Sequence, residues 1–344
     1  MKSAESFHRC DIVTDQYFNR SLKEGVRDSR GSEGIVILFN DQTPLPSKFE
    51  SNFLTNGTNK TNLNEYLAQK FIAFHHNNSQ ILCATYKQQT ILSNQLHVIT
   101  EESIANCSCE EADARIIRHA INLGRNGYKN VQIQTVDNNV LVLSLGYAKQ
   151  LKDAGLEQLF VNYGPIRVYY NVFKNLSYLG NDICKALPFL LALTGCDTTS
   201  SFYKIGKTTH WTTWMKMHDA YPALTNAFLR LSNQPTGDID AETLHVIIQF
   251  VYQCYGLIYT ERSSAKTLRV QHITNTPNLT LRELVPSIHG VLQHIRRCCI
   301  QVGYLWKLAD FEIDIPDPTL MGLEIRGNKR TELLYPALAR PRDI

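Results

Sequence analysis

The chain has 344 residues, enough for one large α/β domain or two ordinary ones. Its 43% hydrophobic content supplies an ordinary globular core and excludes a disordered, collagen-like or coiled-coil protein. The 35 basic residues against 32 acidic ones give a net charge of +3, a mild balance that names no partner by itself. No apolar run approaches the roughly 18 residues of a membrane span, and Met1 is followed by polar sequence rather than the apolar segment of a secretory leader. Nine cysteines, odd in number and partly within apolar runs, argue against a disulfide framework. Cys107-x-Cys109 lacks a second ligand pair at zinc-finger spacing, and Cys298-Cys299 is a vicinal pair on a helix, so no structural zinc site is expected. These features imply an intracellular protein, nuclear or cytoplasmic, in which triplets such as Asn56-Gly57-Thr58 are not glycosylated.

In chain order, residues 9–15 read as a short strand ending in Asp15, followed by a basic stretch that includes Arg20, Lys23, Arg27 and Arg30. The Pro-, Asn- and Thr-rich run 41–62 reads as a loop. From Leu63 to Phe74 the apolar residues Leu63, Leu67, Phe71 and Phe74 recur at helical spacing, and 80–86 reads as a strand. Ser108 opens a helix in a capping box with Glu111; Ile116, Ile117, Ala120 and Leu123 face a core, and the helix ends near Gly124–Gly127. Val131–Thr135 alternates as a strand and stops at Asp137, Val140–Leu145 reads as a helix, strands follow near 158–162 and 167–172, and a helix spans Asp182–Leu193. That alternation predicts a doubly wound, mainly parallel sheet. Beyond Trp214 the pattern is helical, with long amphipathic candidates at 241–255 and 286–308. Trp211 and Trp214 read as helix packing rather than a base-stacking platform.

In a doubly wound sheet, functional groups collect beyond the carboxyl ends of the strands. Asp15 and Asp137 follow strands, Glu111 and Asp113 sit at a helix start, and Asp197 follows the apolar helix in Leu193-Thr194-Gly195-Cys196-Asp197. Acids gathered from distant positions repel unless a cation neutralises them. Hard oxygen ligands suit Mg²⁺ or Mn²⁺, and paired divalent ions hydrolyse phosphodiesters. Each acid also has a structural reading. Glu111 and Asp113 complement a helix dipole, Asp137 caps the next helix, and Asp197 is a turn residue.

The order of these segments resembles the flap-endonuclease-type 5′ nucleases of the PIN-like fold. Glu111-Ala112-Asp113 is similar to their Glu-Ala-Glu element, and Asp137-Asn138-Asn139 with the apolar run after it to their Asp-x-Asp strand end. Leu193-Thr194-Gly195-Cys196-Asp197 matches their Leu-x-Gly-x-Asp, and Ile12-Val13-Thr14-Asp15 their Val-Phe-Asp. Ile205-Gly206-Lys207 resembles the Gly-Ile-Gly-Pro-Lys turn that grips a DNA phosphate. Nearly the whole chain also resembles a group of uncharacterised animal proteins with Glu-Ala-Asp-Thr-Arg and Thr-Gly-Cys-Asp-Thr-x-Ser-x-Phe motifs. The resemblance implies a PIN-like domain over residues 1–220 with a helical region, 221–344, packed on it. It also implies that the strands ending at Asp15 and Asp137 are neighbours. Asp15, Glu111, Asp113, Asp137, Asp197 and Asn139 would be Mg²⁺ or Mn²⁺ ligands, the middle four catalytic or metal-activating acids among them, and Lys204, Gly206, Lys207, Arg20 and Lys23 would hold nucleic-acid phosphates.

Three departures qualify that implication. Asn139 stands where the family has a second acid, and an amide brings no charge. The family's first strand, with another metal-binding Asp, is expected to be missing. The 204–207 turn lacks the first Gly and the Pro. Two functions remain open: a divalent-metal nuclease acting on branched or single-stranded nucleic acid, and an inactive nucleic-acid- or protein-binding remnant of the same fold. Nucleotide-cofactor, P-loop and serine-hydrolase motifs are absent, so no small-molecule cofactor is expected.

Overall fold

The computed structural model describes residues 7–17, 36–44, 53–54, 56–75, 80–93, 104, 109, 111–164, 168–196, 198–218, 222–234, 238–260, 262–307, 323–326, 329–332 and 338–339. Within them the chain is mixed α/β, with eleven α-helices and sheets of only two or three strands, none closed into a barrel. It divides into two compact units, 1–133 with 150–159 and 308–312, and 134–149 with 160–307 and 313–344. No described helix is long and apolar enough to cross a membrane.

The first unit carries β1 (Arg9–Ile12), α1 (Gly57–Ala73), β2 (Ile81–Tyr86), β3 (Gln89–Leu92) and α2 (Ala112–Arg125). β1 pairs parallel with β2, Arg9 opposite Ile81, and β2 pairs antiparallel with β3. The β2–β3 link is the two residues Lys87 and Gln88, with Lys87 at φ +46°. Buried Arg115 of α2 clasps this turn, donating to the Lys87 and Gln89 carbonyls at 2.7 Å each. Ala68 of α1 packs on Ala84 and Tyr86 with Ile72 and Ile91.

Helix α1 starts before Leu63, so residues 57–62 are not loop. The Asn56 side chain accepts from the Thr58 and Asn59 amides, satisfying N–H groups that a helix start leaves unpaired. The polar residues read as a loop have partners: Asn59 accepts from the Ile37 amide at 2.8 Å, and Asn62 donates to the Ile37 carbonyl at 2.9 Å.

β4 (Asn130–Thr135), α4 (Ala148–Asp153) and β5 (Gln158–Tyr163) contribute residues to both units. The second unit adds α3 (Asn138–Gly146), β6 (Val168–Asn171), α5 (Val172–Leu179), α6 (Asn181–Leu193), β7 (Ser201–Phe202) and α7 (Lys207–His218). It continues with α8 (Pro222–Leu231), α9 (Ala241–Cys254), α10 (Ala265–Asn275), α11 (Ile288–Ile300) and a π-helical turn, Gln301–Leu305. β8 (Leu323–Arg326) and β9 (Lys329–Glu332) form a hairpin, and β10 (Leu338–Ala339) pairs antiparallel with β7. The second three-stranded sheet has the order β4–β5–β6, with β5 and β6 antiparallel.

The described strands form small mixed sheets, and a doubly wound, mainly parallel sheet is not confirmed among them. β1 and β4, which lead to Asp15 and Asp137, belong to different sheets. The two antiparallel pairs follow from connection length: parallel neighbours need a crossover of a dozen or more residues, and the links from β2 to β3 and from β5 to β6 are too short for anything but hairpins.

Helices dominate the second unit around Trp214, Phe189, Phe228 and Phe250, all fully buried. Trp214 donates Nε1–H to Thr225 at 3.0 Å and meets Trp211 edge-on, in keeping with a packing role. Gly146 of α3 lets Pro188 of α6 approach so closely that a Cβ there would lie 2.6 Å from the proline ring.

His294 of α11 is completely buried and hydrogen-bonds the Leu193 carbonyl at 2.9 Å. Burial, reinforced by the Arg297 charge, pulls its pKa from 6.5 down to about 3. A base whose folded pKa is depressed resists protonation only in the folded state. Its contribution is intact above the unfolded value and disappears as pH falls toward the folded one, up to about 5 kcal/mol in all. Between pH 7 and 4.5, the parent should lose about 2–3 kcal/mol more unfolding free energy than His294→Gln, measured by urea titration.

Candidate functional site

Three segments of the second unit line one open cleft of about 820 Å³: the start of α3, the turn after α6, and the turn from β7 into α7. Asp137 is the N-cap of α3, and its Oδ1 accepts the Asn139 amide at 2.8 Å. Both side chains line the cleft, Asp137 exposed and Asn139 half-buried.

The second wall is Thr194-Gly195-Cys196. Gly195 has φ +101°, and a Cβ there would lie 2.8 Å from the Ser201 Cβ, so only glycine fits. The Cys196 amide donates to the Thr199 hydroxyl and carbonyl, and Thr199 Oγ1 donates to the Ala192 carbonyl at 2.7 Å, which ties the turn back to α6. Thr198 Oγ1 hydrogen-bonds Gln301. Asp197 lies outside the described residues.

The third wall is Tyr203–Lys207. Lys204 holds φ +60° and its ammonium is ion-paired with Glu283. Glu283 also accepts from the Thr280 amide and hydroxyl, and the Lys204 and Thr280 contacts hold its carboxyl down at about 2. Gly206 faces open space, and Lys207 begins α7 exposed. Arg20 and Lys23 lie outside the described residues.

The remaining sequence-derived acids belong to the first unit. The chain leaves β1 through Thr14, whose amide and hydroxyl bond Thr85 at 3.0 Å each. It reaches Asp15, whose Oδ1 accepts the Ala112 amide at 2.7 Å. α2 thus begins at Ala112 with Glu111 as its N-cap, and Glu111 makes no side-chain capping bond. The capping box expected from Ser108 is not the helix start: Ser108 lies outside the described residues, and Asp15 supplies the acceptor from another segment. Glu111 is buried and Asp113 lies in the first turn.

The same unit brings together four residues the sequence reading passed over. Asp11 on β1 receives Arg9 Nε at 2.7 Å and Nη2 at 2.8 Å, and its Oδ2 also lies 2.7 Å from His119 Nδ1 on α2. Arg9 Nη1 reaches Asn122 at 3.3 Å. Cys83 on β2 completes a group with Asp11 and His119 whose donor atoms lie within 4.8 Å of one another. Burial alone would raise the Asp11 pKa, but the hydrogen bonds and charges of His119 and Arg9 hold it below the usual carboxylate value. Burial, with the Asp11 charge, pushes the Cys83 thiol well above its ordinary value. The usable signal was an Arg and an Asp two apart on one strand face, with a histidine inside the apolar face of α2.

For a hard cation the cleft's described side chains offer the Asp137 carboxylate and the Asn139 amide. Mg²⁺ keeps several waters and takes one or two carboxylates besides substrate phosphates, so this pair fits as a protein's minimal share of such a site. Comparison with protein-family models, curated proteins and solved structures finds no match to this chain.

Removing one partner of a buried ion pair typically costs about 3–5 kcal/mol, because the other charge is left uncompensated. Asp11→Asn should therefore lower unfolding free energy by that order, read as a shift in urea midpoint. The Asp11 contribution should be present above the unfolded carboxylate pKa of about 3.9 and be lost as pH falls through its lower folded value.

Proposed function

We propose that the cleft of the second unit holds the phosphate backbone of a nucleic-acid strand in a protein of nuclease-like, PIN-like ancestry. The observation that carries this reading is the convergence of Asp137 and Asn139, the Thr194–Cys196 turn and the Lys204–Lys207 turn on one cleft. Helix N-termini favour anions through free N–H groups and the helix dipole. The open space at Gly206 permits close approach of a phosphate to the start of α7, and Lys207 supplies a cation there. Asp137 and Asn139 would hold a Mg²⁺ or Mn²⁺ ion, which when bound neutralises phosphate charge.

A second reading, strand binding without cleavage, is favoured by a specific observation. Asp137 Oδ1 is engaged by the Asn139 amide, and residue 139 contributes no charge. The Asp15 carboxylate is likewise engaged by the Ala112 amide. In this reading the fold keeps the phosphate-binding half of a nuclease and little of its metal-binding half.

Anisotropy of labelled single-stranded and flap DNA tests the binding. The parent should bind with a salt dependence, and Lys207→Glu should weaken binding uniformly across sequences and reduce the salt slope by about 1. A parent that binds no nucleic acid removes both readings. Asn139→Asp should raise Mn²⁺ affinity in a calorimetric titration and weaken metal-free DNA binding. Mn²⁺-dependent cleavage by the parent selects the nuclease, and binding without cleavage selects the remnant.

A further inference from the structure

We propose that Asp11, Cys83 and His119 form a binding site for a thiophilic transition-metal ion of the Zn²⁺ class, independent of the cleft and of its function. The three donors come from β1, β2 and α2, and their ligand atoms already lie within 4.8 Å of one another. Sulfur, imidazole nitrogen and one carboxylate oxygen form a donor set suited to zinc rather than to Mg²⁺ or Mn²⁺. Three protein ligands leave a fourth tetrahedral position for water or another small ligand.

His119 is 2% exposed, and its Nε2 is a buried atom with no hydrogen-bond partner, although Nδ1 meets Asp11. His210 Nε2 and His294 Nδ1 are buried in the same way, so the convergence of the three donors is what marks this group. The Cys83 sulfur is itself hydrogen-bonded with Asp11 and Arg9, so in the metal-free chain the four side chains already form one network around the carboxylate.

The balance of charge and protons is simple. The ion takes up the Cys83 sulfur as thiolate, and that thiol proton leaves to solvent. The imidazole binds through Nδ1, whose proton, donated to Asp11 in the metal-free chain, passes to Nε2, and the Asp11 carboxylate is already ionised beside Arg9. The thiolate and carboxylate cancel the ion's two charges. Arg9 opposes the ion electrostatically. It also fixes the carboxylate from behind through Nε and Nη2, the role of an outer partner that orients a metal ligand.

The test uses the full chain purified from zinc-supplemented cells, and the same chain stripped by chelator and reloaded with Co²⁺. Native mass measurement should find one Zn²⁺ per chain. Co²⁺ should give the near-ultraviolet absorption of a thiolate-to-metal transition. Both should persist in Cys184→Ser, a buried thiol outside the group. The Co²⁺ band should vanish in Cys83→Ser, and affinity should fall at least tenfold in His119→Gln. X-ray absorption of the zinc-loaded parent, which needs no variant to fold, should show one sulfur at about 2.3 Å with nitrogen and oxygen completing the shell. A folded parent that takes up neither ion, a shell without sulfur, or a thiolate band that survives Cys83→Ser overturns the proposal.

Discussion

Every α-helix begins with backbone N–H groups that its own turns cannot satisfy, and this chain meets that demand largely with acidic and amide side chains. Asn56, Asp137, Asn171, Asp240 and Ser287 each accept from the first turn of the helix they precede. Asp15 does the same for α2 from a different part of the chain, so that one hydrogen bond both starts the helix and anchors the segment leaving β1. Two of the acids that invite a reading as metal ligands, Asp15 and Asp137, are thus also residues that begin helices. Because a carboxylate has two oxygens, the two roles can coexist. An engaged oxygen is nevertheless partly withdrawn from a cation, and the acidic character suggested by sequence overstates the charge on offer.

How much of this was legible follows from where the information lies. Local signals held up: helices α2, α6 and α9 form where helices were expected, and the strands at 81–86, 130–135 and 158–163 stand at the segments read as strands at 80–86, 131–135 and 158–162. The start of α1 was missed because apolar spacing outweighed Asn56, a side chain built to cap. The antiparallel β2–β3 pair has a cause visible in the sequence, because two residues between the strands permit only a hairpin. The grouping of Arg9, Asp11, Cys83 and His119 was legible only in its parts, an Arg and an Asp two apart on one strand face and a histidine in an apolar helix face. Its members come from two strands and a helix far apart in sequence, and no spacing rule brings them together.

The two candidate sites differ in the chemistry they can support. The cleft is open, with exposed Asp137, Lys204 and Lys207, so its interactions are with hydrated, hard or extended charged groups and are weakened by salt. The Asp11 group is buried, with each side chain at most 7% exposed, so its interactions are strong, unscreened and sensitive to the loss of any one member. A single assay for divalent cations would mix the two; the identity of the ion separates them, because sulfur discriminates against hard cations where carboxylate and amide oxygens do not.

The choice of asparagine at position 139 bears on which function the cleft serves. Residue 139 lies in the first turn of α3, where a negative charge would favour the helix by about 0.3–1 kcal/mol through the dipole. Folding alone therefore gives no reason to prefer the amide; the Asp137 cap needs only the backbone N–H of residue 139, which either side chain leaves in place. The difference falls on the occupant. With a tightly held cation, a second carboxylate would be neutralised and would strengthen the site. Without one, it would repel a phosphate chain approaching Lys207 and the open face of Gly206. An amide is the better neighbour for a polyanion whenever the cation is weakly held or absent. On the proposed reading, Asn139 therefore suits strand binding better than it suits metal chemistry.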